Sequence, residues 1–172
     1  MNKLIGLIFL LLSPALFSAT FPAGTEYSVC FTPAQNCTKE IVTQINAAKK
    51  YINVQAYSFT SKPIARALVK AYVRGIKVKV ILDKSNFTPG MRSQASYLLA
   101  HHIPIWNDYK LNIAHNKVMI FDGQTVETGS FNFTTSAQYY NAENVLIIHN
   151  KALADRYLAN WFSRQAAAKP VK

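Results

Sequence analysis

Six residues of this chain have types and spacing suited to chemistry: His115, Lys117, Asp122, Gly129, Ser130 and Asn132. An imidazole attacks as a nucleophile or passes a proton, depending on its charge. The lysine two residues on supplies a fixed cation, and Ser130 and Asn132 supply small polar groups. Such a set suits attack on a phosphodiester, where charge builds on the nonbridging oxygens as the nucleophile reaches phosphorus.

The spacing suggests how these side chains meet. Alternate residues of a strand share a face, so His115 and Lys117 point the same way. Residues 117–121 are apolar apart from the lysine, Asp122-Gly123 is a hairpin signal, and residues 125–128 can return antiparallel. A two-residue loop (Asp122, Gly123) places Ser130 opposite His115. A four-residue loop (Asp122 to Thr125) places Ser130 opposite Lys117 and Asn132 opposite His115. Either even-numbered loop gathers the four side chains, and a three-residue loop would scatter them. Asp122 has the opposite parity and sits at the turn, so it is expected to hold the hairpin and not to touch substrate.

The pattern His-x-Lys-(x)4-Asp-(x)6-Gly-Ser-x-Asn is matched in full by these six residues and resembles the HKD motif of the phospholipase D superfamily. The short length, the single motif and the leader resemble the small bacterial Nuc-type secreted endonucleases of that superfamily, over essentially the whole chain after the leader. The resemblance implies a phospholipase D-like fold and phosphodiester hydrolysis. It also implies a homodimer, since larger members carry two motifs in one chain. Family members have an acidic residue in the region of Glu143, which makes Glu143 the candidate to orient the imidazole. Glu127 is a weaker choice, because its parity puts it on the opposite face from Ser130.

The chemistry calls for a second chain as well. In-line displacement needs a nucleophile on one side of phosphorus and a proton donor on the other, and one His115 cannot be both in one step. The expected mechanism has one His115 form a phosphohistidine while the partner's His115 protonates the leaving oxygen and then activates water. Lys117 and Asn132 hold the nonbridging oxygens, and Ser130 adds a supporting hydrogen bond. No metal-binding motif is present, and acidic residues are too few for a two-metal cluster, so no metal or cofactor is expected.

Composition sets the setting. Nineteen Lys+Arg against 8 Asp+Glu give a net charge of +11, which favours a polyanionic partner such as DNA or RNA. Anionic lipid would also be attracted, so charge alone leaves a lipid phosphodiesterase or a non-enzymatic cationic binding protein as alternatives. No exposed amphipathic stretch after the leader offers a stable membrane contact. Residues 1–22 read as a signal peptide, with Lys3, an apolar run over 4–12 and Pro14, followed by one domain over 23–172. A leader implies the periplasm or the exterior, where Cys30 and Cys37, the only cysteines, are expected to pair.

The remaining pattern predicts an α/β fold: a mixed, mostly parallel sheet with helices on both faces. Strands are expected over 26–31, 51–59, 76–82, 103–106 and 144–149, and helices from Thr38, from Ser61 to Gly75, over 91–101 and over 151–165.

Overall fold

The computed structural model describes residues 19–172, so the charged and apolar parts of the expected leader lie outside the described residues. Strand β1 (Tyr27–Phe31) leads to helix α1 (Cys37–Ala47), β2 (Tyr51–Ala56), α2 (Lys62–Val73) and β3 (Lys77–Asp83). A short 3-10 turn over Lys84–Phe87 precedes α3 (Ala95–Ala100) and β4 (Ile105–Asp108). The hairpin β5 (Lys117–Phe121) and β6 (Thr125–Gly129) follows, then α4 (Thr135–Tyr139), β7 (Asn144–His149), α5 (Lys151–Ala167) and β8 (Lys169–Val171).

Local chemistry explains most of these boundaries. Ser61 caps α2, with Pro63 in the first turn, and Gly75 follows its end at φ 91°. Helix α1 starts earlier than its pattern suggests, because Asn36 and not Thr38 is the cap and accepts from the Lys39 N–H. The expected helix over 91–101 shrinks to the six residues of α3, and α4 and β8 were not anticipated. Such short elements carry too little periodicity to read.

The eight strands form one mixed sheet in the order β1-β7-β6-β5-β2-β3-β4-β8. Parallel pairing is confined to β2–β3 and β3–β4, so the sheet is less parallel than the strand–helix alternation suggests. The reason is the hairpin: β5 returns beside β2 in the antiparallel sense and draws β6 and β7 after it. Helices cover both faces. On one face α1, α2, α3 and α4 bury Ile41, Ile45, Leu68, Leu98 and Ala137 against Ile52, Val54 and Val80. On the other, α5 packs Ala154 and Trp161 on Ile81, Val118, Ile120 and Val126. A disulfide joins Cys30 to Cys37, ties β1 to α1 and adds about 2–3 kcal/mol in the chain-entropy view.

One core residue is out of character. Glu127, paired opposite Met119 and Ile147, is 0% exposed, and neither carboxylate oxygen has a hydrogen-bond partner. Desolvation raises its pKa well above the usual carboxylate range, and the Met119 backbone opposes this only in part. The unfolded chain ionises this group near pH ~4.3. Above that value the folded state holds one more proton than the unfolded state, so this residue makes stability fall as pH rises toward the folded-state pKa. Glu127→Gln mimics the neutral form. It should match the parent Tm at about pH 4 and exceed it at about pH 8 in thermal scans. An equal difference at both values would show that Glu127 does not take up a proton on folding.

Candidate active site

His115 sits just before β5 at the sheet end where β2 stops, and the backbone on either side of it is anchored. The Asp83 carboxylate, 2% exposed, accepts from the Ala114 N–H at 2.7 Å and the Ser85 N–H at 2.9 Å. The Tyr57 N–H donates to the Asn116 carbonyl at 2.8 Å. Asn86 joins these supports: its Oδ1 accepts from the Phe59 N–H and from Ser93 Oγ, and its Nδ2 donates to the Tyr57 and Asp83 carbonyls. The Tyr57 ring lies against the imidazole, with centroids 4.6 Å apart and planes tilted by 54°. The sequence reading missed Tyr57 and Asn86, which no motif marks. Asp83 ends a parallel strand, a position where site residues gather in α/β sheets, and that signal could have found it.

Lys117 opens β5 beside Ala56 and is only 6% exposed, whereas His115 is exposed. Its ammonium lies 2.9 Å from His115 Nδ1, 3.0 Å from Nε2 and 2.9 Å from the His115 carbonyl. It also sits 5.4 Å from the centre of the Tyr57 ring. Burial lowers the Lys117 pKa, and the Glu143 carboxylate pulls it partly back up.

Ser130 and Glu143 meet as well. Ser130 Oγ donates to Glu143 Oε2 at 2.5 Å and accepts from the Asn144 N–H at 3.0 Å. The other Glu143 oxygen accepts from Asn141 Nδ2 at 2.9 Å. Within one chain the carboxylate expected to orient His115 thus reaches Ser130 and Asn141 instead.

The route to this grouping differs from the expected one. Phe121 pairs with Thr125, so the hairpin loop is the three residues Asp122 to Gln124, with Asp122 and Gly123 both at positive φ. Strand parity would then separate Ser130 from Lys117, but the chain leaves the ladder at Gly129. A Cβ on Gly129 would lie 2.2 Å from the Asn144 carbonyl oxygen, so only glycine permits the approach. Ser130 N–H and Phe131 N–H both donate to that carbonyl, and Phe133 crosses to bridge Phe59 in parallel. Asn132 lies in this crossing, half-buried, with its Oδ1 buried and without a partner.

Asp122 lies at the far end of β5. Its carboxylate accepts from the Lys49, Lys50 and Tyr51 N–H groups at 2.7–2.9 Å and so fastens the turn before β2. Phe131 and Phe133 belong to the core, whereas Tyr139 and Tyr140 are exposed. Among the described residues, no group of three or more His, Cys, Asp or Glu gathers as metal ligands would.

Comparison with known proteins agrees with this geometry. The profile of "Cardiolipin synthase, PLD-like domain" matches residues 41–165. The chain is 46% identical over 155 residues to a phospholipase D of Rickettsia prowazekii, covering 90% of this chain and 75% of the relative. It is 30% identical over 130 residues to the mitochondrial cardiolipin hydrolase of Mus musculus, covering 75% of this chain and 58% of that one. The crystal structure of Nuc from Salmonella typhimurium, a phospholipase D family member, superposes with a TM-score of 0.81 at 35% identity over 86% of this chain and 99% of that one. NucT from Helicobacter pylori shares the fold, with a TM-score of 0.79 at 23% identity over 86% of this chain and 99% of that one. The His-x-Lys strand, the glycine-gated crossing to Asn132 and these matches place the chain in the phospholipase D superfamily of phosphodiesterases.

Proposed function

We propose that this phosphodiesterase is a nuclease that cleaves nucleic acid through a phosphohistidine, in a site shared by two copies of the chain. The observation that carries the reading is the buried Lys117 ammonium held against the His115 imidazole, on a chain of net charge +11. The pairing sets the nucleophilic imidazole beside the cation that receives a phosphate oxygen. The neighbour named Nuc, matched over 99% of its length, supports this choice of substrate.

In the first step the imidazole nitrogen forms a bond to phosphorus and the P–O bond to the leaving group breaks. The partner's His115 gives its proton to that oxygen. In the second step the same partner imidazole, now neutral, takes a proton from water, whose oxygen displaces His115 from phosphorus. Both imidazoles end in their starting states, and the net change is hydrolysis. Lys117 and the Asn132 amide N–H donate to the nonbridging oxygens and stabilise their charge. Ser130 and Glu143 position the floor of the site through their mutual hydrogen bond. No metal or cofactor takes part, and the Cys30–Cys37 disulfide fits a mature domain, residues 23–172, exported to the periplasm or beyond.

A lipid reading stands second, supported by the 46% identity to a protein named phospholipase D. Digestion of plasmid DNA, RNA and phosphatidylcholine vesicles in excess EDTA separates the two. The proposal expects nucleic acid to be cut at an unchanged rate in EDTA and the vesicles to persist. Loss of cleavage in EDTA with recovery on adding magnesium, or hydrolysis of vesicles alone, would overturn it.

A further inference from the structure

Between the first turn of α2, the segment leading into α3 and the start of α4 lies a cleft of about 830 Å3, walled by Thr60, Lys62, Arg92, Ser93, Thr135 and Ser136. No carboxylate lines it, and neither Lys62 nor Arg92 makes a salt bridge among the described residues. Both cations are exposed, so they stand ready for an outside anion. The cleft is tied to the reaction centre through short links. Thr60 N–H donates to the Phe133 carbonyl, next to Asn132. Ser93 Oγ donates to Asn86, whose amide holds the carbonyl of Tyr57, the ring that rests on His115.

We propose that this cleft seats a phosphate flanking the scissile one, so that Lys62 and Arg92 select a polyanionic strand over a substrate with a single phosphodiester. The inference rests on the nucleic-acid reading above and goes beyond it by naming the residues that set substrate length. A nucleic-acid strand repeats its charge about every 3.4 Å along the duplex axis, so a chain cut at His115 must place further phosphates nearby. A guanidinium and an ammonium flanked by hydroxyls answer that charge, with the guanidinium able to grip two phosphate oxygens at once. A phospholipid offers only one phosphodiester there, which leaves Lys62 and Arg92 without a second phosphate to bind.

The test compares kcat/KM for a single-stranded DNA ten-mer and for bis(p-nitrophenyl) phosphate, which has one phosphodiester, in the full dimeric enzyme. Lys62→Gln and Arg92→Gln should each lower the ten-mer value by about tenfold, the scale of a hydrogen bond to a charged group. The one-phosphodiester substrate should change by less than about threefold, since the chemistry at His115 is untouched. The salt dependence of ten-mer binding should shallow by roughly 0.7 in log–log slope per cation removed. Lys77→Gln, a charge change at the far end of β3 beside Tyr51, should leave both substrates unchanged and so controls for net charge. Equal losses on the two substrates, or no loss on the ten-mer in the Lys62→Gln/Arg92→Gln pair, would overturn the flanking-phosphate role while the nuclease reading stands. An unaltered enzyme that leaves the ten-mer intact but hydrolyses phosphatidylcholine would overturn the nuclease reading, and this inference with it.

Discussion

His115→Asn should lower kcat by on the order of 10^4-fold or more, the scale for removing a nucleophile that also serves as acid and base. The amide keeps the polar volume but can neither form the phosphoryl bond nor carry the proton. Because His115 is exposed and the backbone on either side of it is held by Asp83 and Tyr57, the variant should fold and still bind DNA. Mixed dimers make the test sharper. In a shared site the nucleophile of one chain needs the acid of the other, so a mixed dimer lacks one of the two. Equal amounts of parent and variant subunits, allowed to exchange, give parent, mixed and variant dimers in a ratio of roughly 1:2:1. Activity of the mixture should then fall to about a quarter of that of all-parent protein, and independent sites would leave about half. A value of one half, or full activity in a verified monomer, would remove the second histidine from the mechanism.

How the site assembles explains what the sequence could and could not show. The His-x-Lys pair follows from strand periodicity alone, and the structure brings both side chains to one point. The turn at Asp122-Gly123 is equally plain, yet its length is not: the loop holds three residues, because Gln124 N–H closes onto the Phe121 carbonyl. Strand parity therefore misplaces Ser130. What takes Ser130 out of that parity is a backbone contact between Gly129 and Asn144, residues fifteen apart, where a Cβ on Gly129 would lie 2.2 Å from the Asn144 carbonyl oxygen. No periodicity encodes such a contact; only the absence of a side chain at Gly129 hints at it. Asp122 shows the same limit from another side. Its turn position is legible, but its three backbone donors come from Lys49, Lys50 and Tyr51, over seventy residues away. The fold class was readable because apolar runs alternate with capped helices. The balance of parallel and antiparallel pairs was not, since it depends on which edge the hairpin joins. Tyr57 and Asn86 were invisible for a related reason: their roles arise from tertiary contacts to His115 and Ser93, and their residue types are ordinary at strand ends and turns.

Lys117 should set the alkaline side of the pH–rate profile. Its ammonium lies 2.9 Å and 3.0 Å from the two ring nitrogens, and burial lowers its pKa. In the proposed mechanism the charged form holds the phosphate oxygens, so activity should decline with rising pH before the ~10.4 of a free lysine is reached. Lys117→Met removes the charge and should cost roughly 10^2- to 10^3-fold in kcat, as removal of a single transition-state donor does. Lys117→Arg separates charge from titration. Arginine stays protonated across the working range, so the alkaline decline should vanish even though the bulkier fork lowers the maximum. Glu143→Gln moves the limb the other way. The carboxylate raises the Lys117 pKa against the burial term, so its loss should shift the decline to lower pH. The two variants thus displace one limb in opposite directions. An alkaline limb that stays in place in Lys117→Arg would assign it to another group and would leave Lys117 with a role in binding alone.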